Sequence, residues 1–203
     1  MKLIRKSTNS DIKRIEELRI SEFSRSTEFS LLKPEPLMWS ELDSQSLVLV
    51  VLDGENAIST MRGVKAEDRK YAESILQCTV PEDTLFPSLI FTSAATLKPL
   101  RKKGFNQLLR LYFLHFGIFN NIKTFMSPVY KNAPRIDFMK TLGYKLITPE
   151  KNWQKKLNPK SERQLAILKK ESFKNAINII EERNYNLIKE FPWKGININE
   201  ILL

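Results

Sequence analysis

An apolar run at residues 89–97 leads into a basic turn, Arg101-Lys102-Lys103-Gly104-Phe105-Asn106, which opens onto a second apolar run at 107–114. The first run reads as a strand and the second as the start of a helix. No other stretch constrains the fold as much. The first backbone N–H groups of a helix have no partner within it. Together with the helix dipole, they make the turn suitable for an anion such as phosphate. Gly104 leaves no Cβ between the backbone and a ligand. On its own the pattern is weak, because a glycine among lysines at a helix start also serves as an ordinary exposed turn.

A second segment adds order to the first. Asn132-Ala133-Pro134-Arg135 precedes Ile136, Met139 and Leu142 at helical spacing, and Gly143-Tyr144 follows as a stop. The sequence thus runs strand, basic glycine turn, helix, strand at 122–126, Asn-led helix, Gly-aromatic, strand. In this order and spacing, residues 1–157 resemble the GNAT acyltransferase superfamily. The resemblance implies an α/β (α+β) fold: a mixed, mostly antiparallel central sheet flanked by helices on both faces, with a C-terminal helical extension. Its middle strands would splay where acyl-CoA enters.

The same resemblance implies site residues. Arg101, Lys102, Lys103, Gly104, Phe105 and Asn106 would cradle the pyrophosphate of acetyl-CoA or a longer acyl-CoA, and Asn132 would lie near the pantetheine arm. A backbone N–H near Thr96 or Leu97 would hold the thioester oxygen. The side chains depart from the family pattern. Asn106 replaces the usual final Gly or Ala of the loop. Ala94 stands near the usual Glu base, and Met139 stands four residues before Gly143, where many members carry a Tyr acid. Tyr130 and Tyr144 are alternative hydroxyls outside the motif, so the catalytic side chains remain unassigned.

Length and composition set the bounds. At 203 residues the chain can bury a full core, as one domain with an extension. An apolar content of 42% excludes general disorder. No apolar run approaches a membrane span, and the first six residues lack a signal-type apolar region, so a soluble, cytoplasmic protein is expected. Cys78 is the only cysteine and His115 the only histidine. An intrachain disulfide and a cysteine metal site are therefore excluded, no metal is expected, and His115 reads as a helix residue among Leu114, Phe116 and Phe119. The net charge of +10 suits an anionic partner or a solvated lysine-rich surface. No nucleic-acid motif accompanies it. A phosphate-bearing coenzyme or an acidic acyl carrier protein fits equally well.

Elsewhere the chain reads as follows. Residues 2–5 form a strand, Thr8 to Asp11 supply caps, and Ile12, Ile15 and Leu18 begin a helix. Residues 23–40 are irregular. Residues 46–52 and 57–64 form a hairpin about Asp53-Gly54. A helix at 66–76, with Tyr71, Ile75 and Leu76 on its apolar side, then separates strands that simple GNAT enzymes join by a short turn. This longer connection after Arg62 is similar to the acyl-homoserine-lactone and N-acyl amino acid synthase branches, which use long acyl chains, often from acyl carrier protein. That likeness implies substrate-binding roles for Arg62 and Tyr71. The Glu-x-x-Arg pattern of those branches is replaced here by residues 92–96. Residues 145–148 and 152–157 suit a closing hairpin. From Ser161 the pattern reads as one long helix, with Leu165, Leu168, Phe173, Ala176, Ile177 and Ile180 on one face. Residues 158–203 are thus a helical extension, packed on the core or at a homodimer interface.

Three functions fit these readings: N-acyl transfer from acyl-CoA to an amine, long-chain acyl transfer from acyl carrier protein to an amino acid, or an inactive GNAT-like ligand-binding or interaction module. Nothing in the sequence names the acceptor.

Overall fold

The computed structural model describes residues 2–24, 37–150 and 163–194. A seven-stranded sheet carries the fold, in the order β1-β2-β3-β4-β5-β7-β6. The strands are β1 (Lys2–Lys6), β2 (Leu47–Asp53), β3 (Asn56–Ala66), β4 (Ser88–Thr96), β5 (Thr124–Tyr130), β6 (Lys145–Ile147) and β7 (Arg163–Lys169). Every pair is antiparallel except β4–β5. The mixed, mostly antiparallel sheet expected from the sequence is the observed architecture.

Two layers of helices cover it. On one face lies α4 (Phe105–Phe119), with α6 (Phe173–Arg183) and α7 (Tyr185–Glu190) beside it. Leu49, Met61, Phe91, Phe125 and Leu168 meet Phe113 and Phe116 of α4 and Phe173 of α6 there. On the other face lie α1 (Ile12–Ser24) and α3 (Arg69–Leu76), with the short α2 (Glu41–Ser44) near β2. Val48, Val50 and Leu52 face α1, while Val64, Ile90, Met126, Leu165 and Ile167 face α3. Alternation along each strand produces this division, since successive side chains point to opposite faces.

Local signals set most boundaries. Thr8 and Asp11 form a reciprocal capping box before α1, as do Ser40 and Asp43 before α2. Asp68 caps α3 by accepting from the Tyr71 N–H at 2.8 Å. The helix expected from residue 66 therefore starts at Arg69, and Ala66 closes β3. The Asn-led helix begins later than expected, at Ile136 (α5, Ile136–Thr141).

One element reverses the sequence reading. The helix expected from Ser161 is a strand over Arg163–Lys169, and among the described residues α6 and α7 are the α-helices beyond it. Leu165, Ala166, Ile167 and Leu168 are all buried, two on each face of the sheet. A continuous apolar run of that length fits a strand covered on both faces as well as a helix. β7 sits between β5 and β6 and pairs with both. The stripe on α6 packs into the chain's own core. The irregular segment at 25–36, the strand expected at 152–157 and the boundary at 157–158 lie outside the described residues.

Candidate active site

β4 and β5 pair only at Ser88, Leu89 and Ile90 against Thr124, Phe125 and Met126. Beyond that point β4 stays with β3 to Thr96, while β5 stays with β7 to Tyr130. The strands separate into a wedge, the splay expected between the middle strands. On β4, Thr92 faces Arg62 and Ala95 faces Thr60, so Ser93 and Ala94 together oppose Met61. This is a β-bulge, and Ser93 takes a positive φ of 48° within it. A bulge lifts backbone groups out of the ladder. Sequence reading placed the thioester oxygen at Thr96 or Leu97. Leu97 is corrected, because its N–H already donates to Ile58 O at 3.0 Å. The bulge carried no sequence signal: no glycine marks it.

The basic turn stands at the mouth of the wedge. A short 3-10 turn at Lys98–Leu100 precedes it, and Gly104 is the N-cap of α4 at φ +94°. Gly104 has no side chain to cap the helix, so the first turn of α4 lacks a side-chain cap. Lys102 and Lys103 are exposed beside it, and Phe105 is buried against Phe191. Two expectations change in detail. Space for a Cβ on Gly104 is filled by Asn184 Oδ1, 2.2 Å away, and by Leu187 Cδ2 at 3.1 Å. The glycine is thus required by the C-terminal helices. Arg101, with its side chain half exposed at 50%, donates to buried Glu22 Oε2 at 2.7 Å and to Thr96 O at 3.3 Å. It braces the end of β4 against α1.

On the α1 face, two arginines share one buried carboxylate. Arg19 Nη2 lies 2.8 Å from Asp43 Oδ1, and Arg62 Nη1 lies 3.0 Å from Asp43 Oδ2. Arg62 Nε also donates to Thr92 Oγ1 at 2.9 Å. Asp43 is 1% exposed. Burial pushes its carboxyl upward, but the two guanidinium groups and Ser40 outweigh that and hold it below the usual range. The cluster carries an excess positive charge directly behind the β4 bulge. Of these residues the sequence indicated only Arg62. Asp43 and Arg19 reach the site through capping of α2 and the inward face of α1, which spacing in the sequence does not reveal.

The remaining candidates separate. Tyr71 is 39% exposed, with Ala72 and Leu76 of α3 turned inward instead, so the structure does not bring Tyr71 to Arg62. Tyr144 is buried and accepts from Arg110 Nη1 at 3.0 Å. Burial pushes its hydroxyl up against the pull of Arg110. Tyr130 Oη accepts from Arg163 Nη2 at 3.0 Å. Asn132 is exposed in the turn after β5, and Met139 is buried in the core. His115 Nε2 of α4 lies 3.4 Å from Glu181 Oε1 of α6. Among the described residues, no cluster of His, Cys, Asp or Glu suits a metal ion, and no helix is long and apolar enough to cross a membrane. A cavity of about 260 Å³ at β6 and β7, lined by Thr84, Lys145 and Lys169, includes none of the expected site residues.

A splayed parallel pair, a bulged fourth strand and a basic turn on a helix start define the GNAT fold, and this chain has it. Among solved structures, the chain is similar to BjaI, a CoA-dependent acyl-homoserine lactone synthase solved with SAM and isopentyl-CoA. The TM-score is 0.68 at 11% identity, covering 98% of this chain and 96% of that one. An N-acetyltransferase from Staphylococcus aureus Mu50 gives 0.58 at 12% identity, over 83% of this chain and 98% of that one. The ribosomal-protein-S18-alanine N-acetyltransferase from Escherichia coli gives 0.55 at 13% identity, over 83% and 94%. No protein-family model matches the sequence, and no curated protein sequence matches it.

Proposed function

We propose that this chain is an N-acyltransferase that moves an acyl group from acyl-CoA to an amine bearing a negative charge, such as an amino acid. The observation that carries the donor half is the wedge between β4 and β5, with the bulge at Ser93 and Ala94 beside it and the uncapped start of α4 at its mouth. Pyrophosphate binds backbone N–H groups of the turn, with Lys102 and Lys103 adding charge. Pantetheine lies in the wedge near Asn132, and the carbonyl oxygen points to a backbone N–H freed by the bulge.

The amine nitrogen attacks the thioester carbon, the C–N bond forms, and the C–S bond breaks with its electron pair leaving on sulfur. With Ala94 at the usual Glu position, the amine proton leaves to water, and binding in an oriented pair supplies most of the acceleration. The hydroxyl of Tyr130 is the candidate donor to sulfur, since that of Tyr144 is buried against Arg110. Arg19 and Arg62 outnumber Asp43 on the opposite face, which supports an acceptor carrying a carboxylate.

Calorimetric titration with acetyl-CoA and longer acyl-CoAs, followed by turnover with amines that carry or lack a carboxylate, tests both halves. Absence of binding by every acyl-CoA overturns the donor reading. Binding without turnover on any amine leaves a GNAT-like binding module. A second donor is favoured by the exposed basic mouth at Lys98, Arg101, Lys102 and Lys103, which suits an acidic acyl carrier protein through electrostatic steering. Acyl carrier protein loaded with the same acyl groups is the comparison, and turnover faster than with acyl-CoA would assign the donor to the carrier.

A further inference from the structure

Arg110 is 3% exposed, yet among the described residues it forms no ion pair with a carboxylate. Arg19, buried as deeply, has Asp43 at 2.8 Å. Arginine stays a cation in proteins, and a buried charge without a counter-charge is destabilising. The partners of Arg110 are neutral. Its Nε donates to Asn106 Oδ1 at 3.1 Å and its Nη1 to Tyr144 Oη at 3.0 Å. Its guanidinium lies over the rings of Phe91 at 5.0 Å and Tyr144 at 5.6 Å. Nη2 makes no hydrogen bond among the described residues and is not one of their fully buried unpaired atoms, so it keeps a contact with solvent.

Its position sharpens the point. Phe91 is the first β4 residue past the pairing with β5, and Arg110 lies over that ring while its Nε reaches back to the basic turn. It is also one turn along α4 from Asn106, the last residue of the basic turn. The N-terminal end of a helix is itself positive, and a cation there is unfavourable. Two like charges therefore meet at one end of α4, and a bound anion relieves both. We infer that Arg110 is a buried counter-charge for the phosphates of the acyl donor, holding Asn106 in the turn through its Nε. This rests on the donor reading above and adds a residue that no exposed basic side chain replaces. Lys102 and Lys103 act through solvent, and salt screens them; Arg110 acts from the interior and is screened far less.

Calorimetry on wild type, Arg110→Lys and Arg110→Gln tests this, with CoA as the ligand and pantetheine in displacement titrations. Lysine keeps the charge; glutamine keeps hydrogen-bond donors without it. The expected result is a CoA Kd raised about tenfold or more in Arg110→Gln, as loss of one poorly screened charge implies. Arg110→Lys stays near wild type, the ratio holds from low to high salt, and pantetheine binds all three proteins alike. Equal CoA affinity in Arg110→Gln overturns the inference. So does a loss of affinity that pantetheine shares, or one that disappears at high salt. If wild type itself binds no CoA, the donor reading fails instead.

Discussion

Arg62 on β3 and Thr92 on β4 face each other across the ladder, and Arg62 Nε donates to Thr92 Oγ1 at 2.9 Å on the last rung before the β4 bulge. The hydrogen bond fixes a guanidinium against the strand that carries the proposed thioester site. Replacing Arg62 with Met should raise KM for a carboxylate-bearing amine while leaving the Kd of acyl-CoA near wild type. Steady-state kinetics paired with calorimetry checks this, and a donor Kd that rises in step would place Arg62 on the donor side instead.

Asp43→Asn should destabilise the fold by about 3–5 kcal/mol, because it leaves Arg19 and Arg62 buried without their shared carboxylate. The pH dependence has a definite sign. Asp43 titrates lower folded than unfolded, so its contribution is fully present above the unfolded carboxylate range. That contribution is lost as pH falls below about 4. Urea denaturation of both proteins from neutral pH down to acid should show the difference between them shrinking over that window.

Gly104→Ala should lower stability by about 1–3 kcal/mol, since the residue sits at φ +94° and its Cβ would press on Asn184 Oδ1. Asn184 cannot swing away freely, because its Nδ2 is held by Gln107 Oε1 and Ile180 O. Adding Asn184→Ala should remove the steric part and leave the backbone part, a difference visible in thermal melts of the single and double variants.

Cys78 should resist alkylation in the native protein. Burial, with the Glu73 charge adding to it, pushes its thiol up to about 12, so almost no thiolate exists at neutral pH. A thiol reagent should react only at the rate of unfolding, and rapid labelling without denaturant would contradict this.

Acyl donors should bind more tightly as the chain lengthens from two to twelve carbons, if the apolar face under α3 receives the chain. Each methylene buried contributes about 0.8 kcal/mol. Equal calorimetric affinities across the series would leave α3 with only a covering role over the sheet.

Much of this fold is legible locally. The Asp53-Gly54 hairpin, the Thr8–Asp11 cap and the strand, turn and helix around Gly104 each depend on neighbours within a few residues, and each appears where the sequence places it. The site is less legible. Arg62 stands out as a charge closing an apolar strand, whereas Asp43 and Arg19 become its partners only because α1 and α2 pack on the same face of the sheet. Tyr71 shows the converse: an apolar pattern on α3 does not say which of two adjacent residues turns inward, and Ala72 does.

Residues 163–169 mark where the sequence stops deciding. Leu165-Ala166-Ile167-Leu168 fixes burial, because such a run cannot face water at low cost, but a strand covered on both faces and a buried helix bury it equally well. The open edges of β5 and β6 decide, since their unpaired backbone groups are satisfied only by a strand laid between them. The glycine at 104 follows the same logic. Its need for a left-handed backbone belongs to the turn, but the 2.2 Å approach of Asn184 comes from a residue about eighty positions away in the chain, which only close packing of α4 against α6 and α7 brings to it.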